Sequence, residues 1–259
     1  MALREGDTAL VTGGTSGIGL AVAENLAAAG NKVFLVARDG DRVADTVERL
    51  AKEDHAVAGT TCDVRDADDI RRAVAEANEF GDVDVLVNNA GRSGGGITAQ
   101  LSDELWDDVV ATNLTSVFRM TREVLTSGMS DRGWGRVISI ASTAGKQGVV
   151  YGAPYSASKH GVVGFTKALG NELAATGITV NAVCPGYVET PMAEGIRAGH
   201  AAHFGVTTDD VRRKFESKIP MGRYSTPEEV AGLVGYLTTP SANSITSQAL
   251  NVCGGLGNF

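Results

Sequence analysis

The chain has 259 residues, 43% of them hydrophobic and 21% charged, which is enough for one large core and contains no apolar run of membrane-spanning length. A formal net charge of −8 argues against a nucleic-acid partner. Three widely spaced cysteines, Cys62, Cys184 and Cys253, fit reduced buried thiols better than a disulfide framework or a metal site, and the start of the chain lacks a signal peptide's apolar core, so a cytoplasmic protein with no membrane partner is expected.

In chain order, short β-branched runs alternate with helix-like stretches. Thr8–Val11 reads as a strand, Ile18–Ala29 as an apolar-periodic helix and Lys32–Ala37 as the next strand. Asp41–Lys52 is amphipathic, with Val43, Val47 and Leu50 on one side. Thr60–Val64 is expected as the third strand and Asp66–Phe80 as the third helix. Val83–Val87 is nearly all apolar, as a strand covered on both faces should be. One long helix is expected over Leu105–Met129, followed by a strand at Arg136–Ile140, a helix at Tyr155–Ala175 and a strand at Thr179–Val183. Thr226–Leu237 reads as a further helix and Gln248–Val252 as the last strand. This alternation predicts βαβ units with right-handed crossovers, hence a doubly wound, Rossmann-type α/β fold with a mostly parallel sheet and helices on both faces. No linker, repeat or low-complexity stretch divides the chain, so residues 1–259 are expected to form one domain.

The first strand runs into Thr12-Gly13-Gly14-Thr15-Ser16-Gly17-Ile18-Gly19. Glycines between a first strand and a first helix let the chain turn tightly, approach a pyrophosphate and pack the helix on the sheet, while the helix N-terminus offers free N–H groups to an anion. Thr15 and Ser16 are placed to add phosphate or ribose hydrogen bonds. The second strand ends at Ala37-Arg38-Asp39. An arginine there suits the 2′-phosphate of NADP, and an acidic residue suits the ribose diol of NAD. Arg38 comes first, which favours NADP; Asp39 keeps NAD as a second reading, against its plain role as a solvated turn residue.

Tyr155 and Lys159 are four residues apart and so share a helix face. An ammonium beside a phenol favours the phenolate, lowers the tyrosine pKa from about 10, and makes it a usable general acid or base. His160 points to another face and reads as structural, and no histidine sits in a recognisable nucleophile motif with Ser142.

Further elements occur in order: Asn88-Asn89-Ala90-Gly91 after the fourth strand, Asn113 in a helix, Ser142 after the strand Arg136–Ile140, and Pro185-Gly186 after Cys184. With the glycine loop and the Tyr155/Lys159 pair, the chain resembles the classical short-chain dehydrogenase/reductase family over nearly its whole length. The resemblance implies a catalytic tetrad of Asn113, Ser142, Tyr155 and Lys159. Tyr155 donates a proton to a substrate carbonyl oxygen as hydride arrives, and Ser142 hydrogen-bonds that oxygen. Lys159 lowers the tyrosine pKa and holds the nicotinamide ribose, and Asn113 holds a water linking Lys159 to solvent. It also implies cofactor contacts from Gly13, Thr15, Ser16, Gly17, Ile18, Gly19, Arg38, Asp63, Val64, Asn89, Ala90, Gly91, Tyr155 and Lys159, and from Pro185, Gly186, Val188 and Thr190.

A narrower resemblance lies in Asn89–Gly96, Gly145–Val149 and the glycine-rich tail Asn251–Phe259. There the chain is similar to the ketoreductases of type II aromatic polyketide synthases, which reduce one ketone, usually at C9, of a poly-β-ketone on an acyl carrier protein with NADPH. It implies substrate contacts from Ser93, Gly94, Gly95, Ser142 and Tyr155, a substrate lid over about 192–215, and a homotetramer. Actinorhodin-type relatives carry proline-glycine-glycine where this chain has Ser93-Gly94-Gly95, so substrate length and product configuration are open. Arg38, Arg65 and Arg92 each follow a strand and are expected to form a basic rim for an acidic carrier. The competing readings are a fatty-acid 3-oxoacyl-carrier reductase or small-ketone dehydrogenase, and a non-catalytic dinucleotide-binding regulator, which would be expected to lack an intact tetrad.

Overall fold

Seven parallel strands form one sheet in a computed structural model that describes residues 7–257: β1 (Thr8–Thr12), β2 (Lys32–Ala37), β3 (Val57–Thr61), β4 (Val83–Asn88), β5 (Gly135–Ile140), β6 (Ile178–Pro185) and β7 (Ala249–Val252). Met1–Gly6, and Asn258 and Phe259 of the glycine-rich tail, lie outside the described residues. The strand order is β3-β2-β1-β4-β5-β6-β7, so the winding reverses between β1 and β4. In open α/β sheets that reversal opens a crevice beyond the strands' carboxyl ends, where ligands bind.

Both faces of the sheet are covered, which explains why β1 and β6 are buried at every residue and β4 at every residue but Asp84. On one face α1 (Gly17–Ala28) packs with α10 (Pro227–Thr238) through Val22, Leu26, Val230, Val234 and Leu237. On the other, α3 (Ala67–Phe80) and α5 (Ser116–Val124) bring Ile70, Val74, Met120 and Val124 against Leu10 and Leu86. Burying one such side chain contributes about 1.5–3 kcal/mol. The helix α2 (Gly40–Ala51) lies over β2 and β3 through Val43 and Leu50, and α7 (Ala153–Leu173) runs beside β6.

Two expected elements are placed differently. The third strand is Val57–Thr61, not Thr60–Val64. Cys62 and Val64 are buried, but they plug the core from the loop after the strand. The long helix expected over Leu105–Met129 is α4 (Asp103–Val110), a widened π turn at Ala111–Thr115, α5, and a second π turn at Leu125–Met129 that leads into the short α6 (Ser130–Arg132). Ser102 caps α4 by accepting the Leu105 N–H, and Gly128 breaks the run with φ of 129°. After β6 come α8 (Pro191–Phe204) and α9 (Thr208–Glu216). This pair has its own apolar cluster of Ala201, Val211, Phe215, Ile219 and Tyr224, apart from the cores under the sheet.

Candidate active site

The glycine loop leaves β1 and enters α1 at the crevice between β1 and β4. Gly13 and Gly17 have φ of 67° and 52°, a region that disfavours other residues. Gly19 has no room for a side chain, since a methyl there would overlap the Gly13 carbonyl and the Asn89 amide. A clip across the crevice holds the loop. Thr12 Oγ1 accepts from the Asn89 and Ala90 N–H groups at 2.9 Å each, and Asn89 Nδ2 donates to the Thr12 and Gly13 carbonyls at 2.9 and 3.2 Å. The Asn89 Nδ2 group is thus occupied in shaping the loop. The N-cap of α1, Ser16, makes no side-chain capping bond, so the first N–H groups of α1 face the crevice without that partner. The cradle fits a dinucleotide pyrophosphate.

The adenosine end is also built. Arg38 is exposed at the end of β2. Asp39 has a structural role of its own: it is the N-cap of α2, and its Oδ1 accepts the Arg42 N–H at 3.2 Å. Arg42 was not singled out from the sequence. Its Nη2 donates to the Thr15 carbonyl at 3.2 Å, which places a second guanidinium beside the glycine loop; its place in the first turn of the helix that follows Arg38 was the available signal. Asp63 is clamped by Arg65, which holds its carboxyl below the usual range, and the Val64 side chain is buried in the core.

Three elements, the π turn, the end of β5 and α7, bring Asn113, Ser142, Tyr155 and Lys159 together. Ser142 follows β5, and its Oγ accepts the Ala144 N–H at 3.0 Å. It also hydrogen-bonds the Tyr155 side chain, which favours the phenolate, but burial outweighs this and pushes the Tyr155 phenol up. Lys159 Nζ lies 5.8 Å from the Tyr155 ring centre and donates to the Ile140 carbonyl at 2.8 Å. Burial lowers its pKa to about 8. The expected lowering of the tyrosine by Lys159 is therefore not what this arrangement produces: the downward pull on Tyr155 comes from Ser142.

Asn113 sits fully buried in the π turn. Its Oδ1 accepts the Arg92 N–H at 2.8 Å, and its Nδ2 donates to the Arg92 carbonyl at 3.0 Å and to Ser158 Oγ at 3.1 Å. Both N–H donors of the side chain are used, and its Oδ1 keeps a second acceptor site. These bonds staple the Gly91–Arg92 backbone over the site. A widened turn also shifts the helical hydrogen-bond ladder, so a backbone carbonyl there can offer a further acceptor for a water.

The glycines after Arg92 approach protein more closely than any open cleft. A methyl on Gly94 would overlap Val109, and one on Gly95 would overlap the Tyr151 carbonyl. Gly96 donates its N–H to that same carbonyl at 2.7 Å. Tyr151 itself has φ of 60°, a strained conformation for a large residue. On the far side of the crevice, Val188 is buried in the core, Thr190 caps α8, and a methyl on Gly17 would lie 3.2 Å from Thr190 Cγ2. The Pro185–Thr190 segment thus abuts the glycine loop.

The expected basic rim is largely neutralised. Asp108 on α4 pairs with both Arg65, at 2.6 Å, and Arg92, and Asp63 also pairs with Arg65. Asp108 is 43 residues from Arg65 and 16 from Arg92, so nothing local in the sequence announced it.

A glycine cradle at the winding reversal beside a buried serine–tyrosine–lysine cluster defines an oxidoreductase of the nucleotide-dependent kind. The family model for short chain dehydrogenase matches residues 7–201, and the chain belongs to that family. It is 67% identical over 253 residues to a protein of Streptomyces virginiae named as a ketoacyl reductase of the monensin polyketide synthase, covering 97% of both chains. A crystal structure of an actinorhodin polyketide ketoreductase variant with NADPH superposes with a TM-score of 0.96 at 56% identity, covering 100% of both chains. A 3-oxoacyl-[acyl-carrier-protein] reductase of Vibrio cholerae is more distant, at 37% identity over 97% of this chain and 98% of its own.

Proposed function

We propose that the protein is an NADPH-dependent ketoreductase that reduces one ketone, at C9, of a poly-β-ketone held on an acyl carrier protein in aromatic polyketide biosynthesis. The observation that carries this reading is the convergence of Ser142, Tyr155 and Lys159 under the glycine crevice. The likeness to polyketide ketoreductases supports the substrate class. NADPH, when bound, supplies the hydride to the ketone carbon. Tyr155 donates its proton to the ketone oxygen, a role suited to a phenol that burial keeps protonated. Ser142 hydrogen-bonds the same oxygen and stabilises the charge that develops on it. Lys159 is mostly ammonium at neutral pH, binds the nicotinamide ribose and returns a proton to Tyr155. Asn113 holds the Gly91–Arg92 wall, and the backbone of its π turn binds the water that connects Lys159 to solvent. The helices α8 and α9 act as the substrate lid. The chain assembles as a homotetramer.

NADPH is expected to bind more tightly than NADH through Arg38, assisted by Arg42. Two unit charges about 4 Å apart near a surface interact by up to about 4 kcal/mol before desolvation, and a third of that is about tenfold in affinity. Fluorescence titration of both reduced cofactors checks this. Equal affinities, or an unchanged ratio in Arg38→Ala, would refute the assignment.

Substrate class is tested by NADPH oxidation with trans-1-decalone, a bicyclic ketone, beside a free acetoacetyl thioester and the same thioester on an acidic carrier. Faster turnover of the bicyclic ketone than of the free thioester is expected; the reverse order would favour a fatty-acid 3-oxoacyl reductase. Because Asp63 and Asp108 already pair with these arginines, Arg65→Ala/Arg92→Ala is expected to slow the carrier-bound substrate no more than the free one, whatever the salt. A larger loss for the carrier-bound substrate, shrinking as salt rises, would restore this rim as the carrier's docking site.

A further inference from the structure

Glu189 lies between Val188 and Thr190, in the segment that abuts the glycine loop, yet its carboxylate faces away from the crevice toward α8 and α9. Both of its oxygens are engaged by Arg197 of α8, Nη1 at 3.2 Å to Oε2 and Nη2 to Oε1. Arg212 of α9 brings its Nη2 to 3.7 Å from Oε2. Arg197 is only 8% exposed, while the Glu189 side chain keeps 35% of its surface open to water, so the ion pair sits at the edge of the packed region. The Arg197 guanidinium also lies 5.3 Å from the Tyr224 ring centre and hydrogen-bonds the Tyr224 side chain. Tyr224 stacks on Tyr187, and Tyr187 stacks on Phe215 of α9. The backbone fixes the hub as well: the Glu189 N–H donates to the Ser225 carbonyl at 3.0 Å, and the Ser225 N–H donates to the Tyr187 carbonyl at 2.9 Å.

One carboxylate thus joins the segment touching the glycine loop to both helices of the α8–α9 pair. A bidentate pair holds direction as well as distance, and removing the carboxylate leaves the buried Arg197 charge without this partner. We propose that Glu189 is a positioning residue that couples cofactor occupancy to the placement of α8 and α9 over the substrate. This rests on the cofactor and lid readings above. A nucleotide seated on the glycine loop presses on Thr190 and orders its neighbour Glu189, which draws Arg197 and Arg212 into one arrangement. The substrate then meets a formed lid instead of paying to order it.

Hydrogen exchange of the 191–216 amides, with and without saturating NADPH, tests the coupling. In the wild type, NADPH is expected to slow exchange there by about fivefold or more, as a bound ligand shifts a local opening equilibrium. Glu189→Gln should leave the NADPH Kd within about threefold, abolish that ratio, and raise KM for trans-1-decalone about tenfold with kcat little changed. Glu189→Asp, which keeps the charge, should restore part of the ratio. A merely structural role would speed exchange equally with and without NADPH and leave the ratio intact, and that result overturns the proposal. Should Glu189→Gln fail to fold, Arg212→Ala serves, since that side chain is 49% exposed; an unchanged ratio there also overturns it. Titration in the same samples separates the two readings. No NADPH binding by the wild type sinks the cofactor reading and this one with it, whereas binding without protection sinks this one alone.

Discussion

Tyr155→Phe is expected to cut turnover of a ketone substrate by about 10² to 10⁴, the usual contribution of a positioned proton donor, while NADPH still binds. The ring, its packing and the neighbouring helix survive the change, and only the hydroxyl that meets Ser142 is lost. Lys159→Ala should reduce both turnover and cofactor affinity, because the same amine serves the ribose. The pH profile separates their roles. Burial raises the Tyr155 phenol, so it stays protonated through the neutral range. Burial lowers Lys159 to about 8, so its ammonium is present below that pH and is lost above it. The wild-type rate is therefore expected to fall as pH rises through about 8, and Lys159→Ala should remove that limb. A Tyr155→Phe enzyme that kept more than about a third of its rate would exclude it as the proton donor.

The second large effect is expected at Gly95. Its backbone lies so close to the Tyr151 carbonyl that a methyl group would overlap it, and backbone cannot rotate away as a side chain can. Gly95→Ala must push apart the 93–96 loop and the strained turn that leads into α7, and it must break the Gly96–Tyr151 hydrogen bond. Overpacking of this kind costs about 1–3 kcal/mol, and the displaced turn lies only four residues before Tyr155. Both a lower melting temperature and a loss of turnover are expected. Gly148→Ala is the control, because nothing lies within 4 Å of a methyl there. Thermal melts and steady-state kinetics on the two variants check this, and equal behaviour would mean that the two loops are not clamped together.

Much of the fold and of the site's cast could be read from the chain because the signals were local. β1 and its glycine turn are contiguous, and a buried parallel strand such as β4 reads as an apolar run interrupted only at Asp84 before it ends at Asn88. Lys159 follows Tyr155 by one helical turn. What escaped was either non-local or misleading in its polarity. β3 is an edge strand whose residues are half-exposed, so the buried Cys62 and Val64 beyond its end drew the expected strand three residues too far. Asp108 neutralises two arginines that lie far from it in the chain. Gly94 and Gly95 were expected to meet substrate, and what the structure adds is their close approach to Val109 and Tyr151, which no local signal announced. The Lys159 amine was correctly placed beside the tyrosine, yet its direction depends on the Ile140 carbonyl, nineteen residues away across the end of β5.

The π turn at Ala111–Thr115 has a consequence for insertions and deletions. A regular helix advances about 100° and 1.5 Å per residue, and a π turn accommodates one extra residue per turn without losing its axis. A spacing of four from Val109 to Asn113 and again to Val117 lies on one face of an ordinary helix as well, so the inward line does not depend on the widened pitch. Removing one residue from this turn would return the helix to ordinary pitch and leave Met120 and Val124 facing the core. Removing one from α5, where no residue is held in reserve, would instead rotate everything downstream by about 100° and carry Val124 out of the core. Tolerance to a change of length is therefore concentrated at the widened turn, and the regular helix on either side has none to spare.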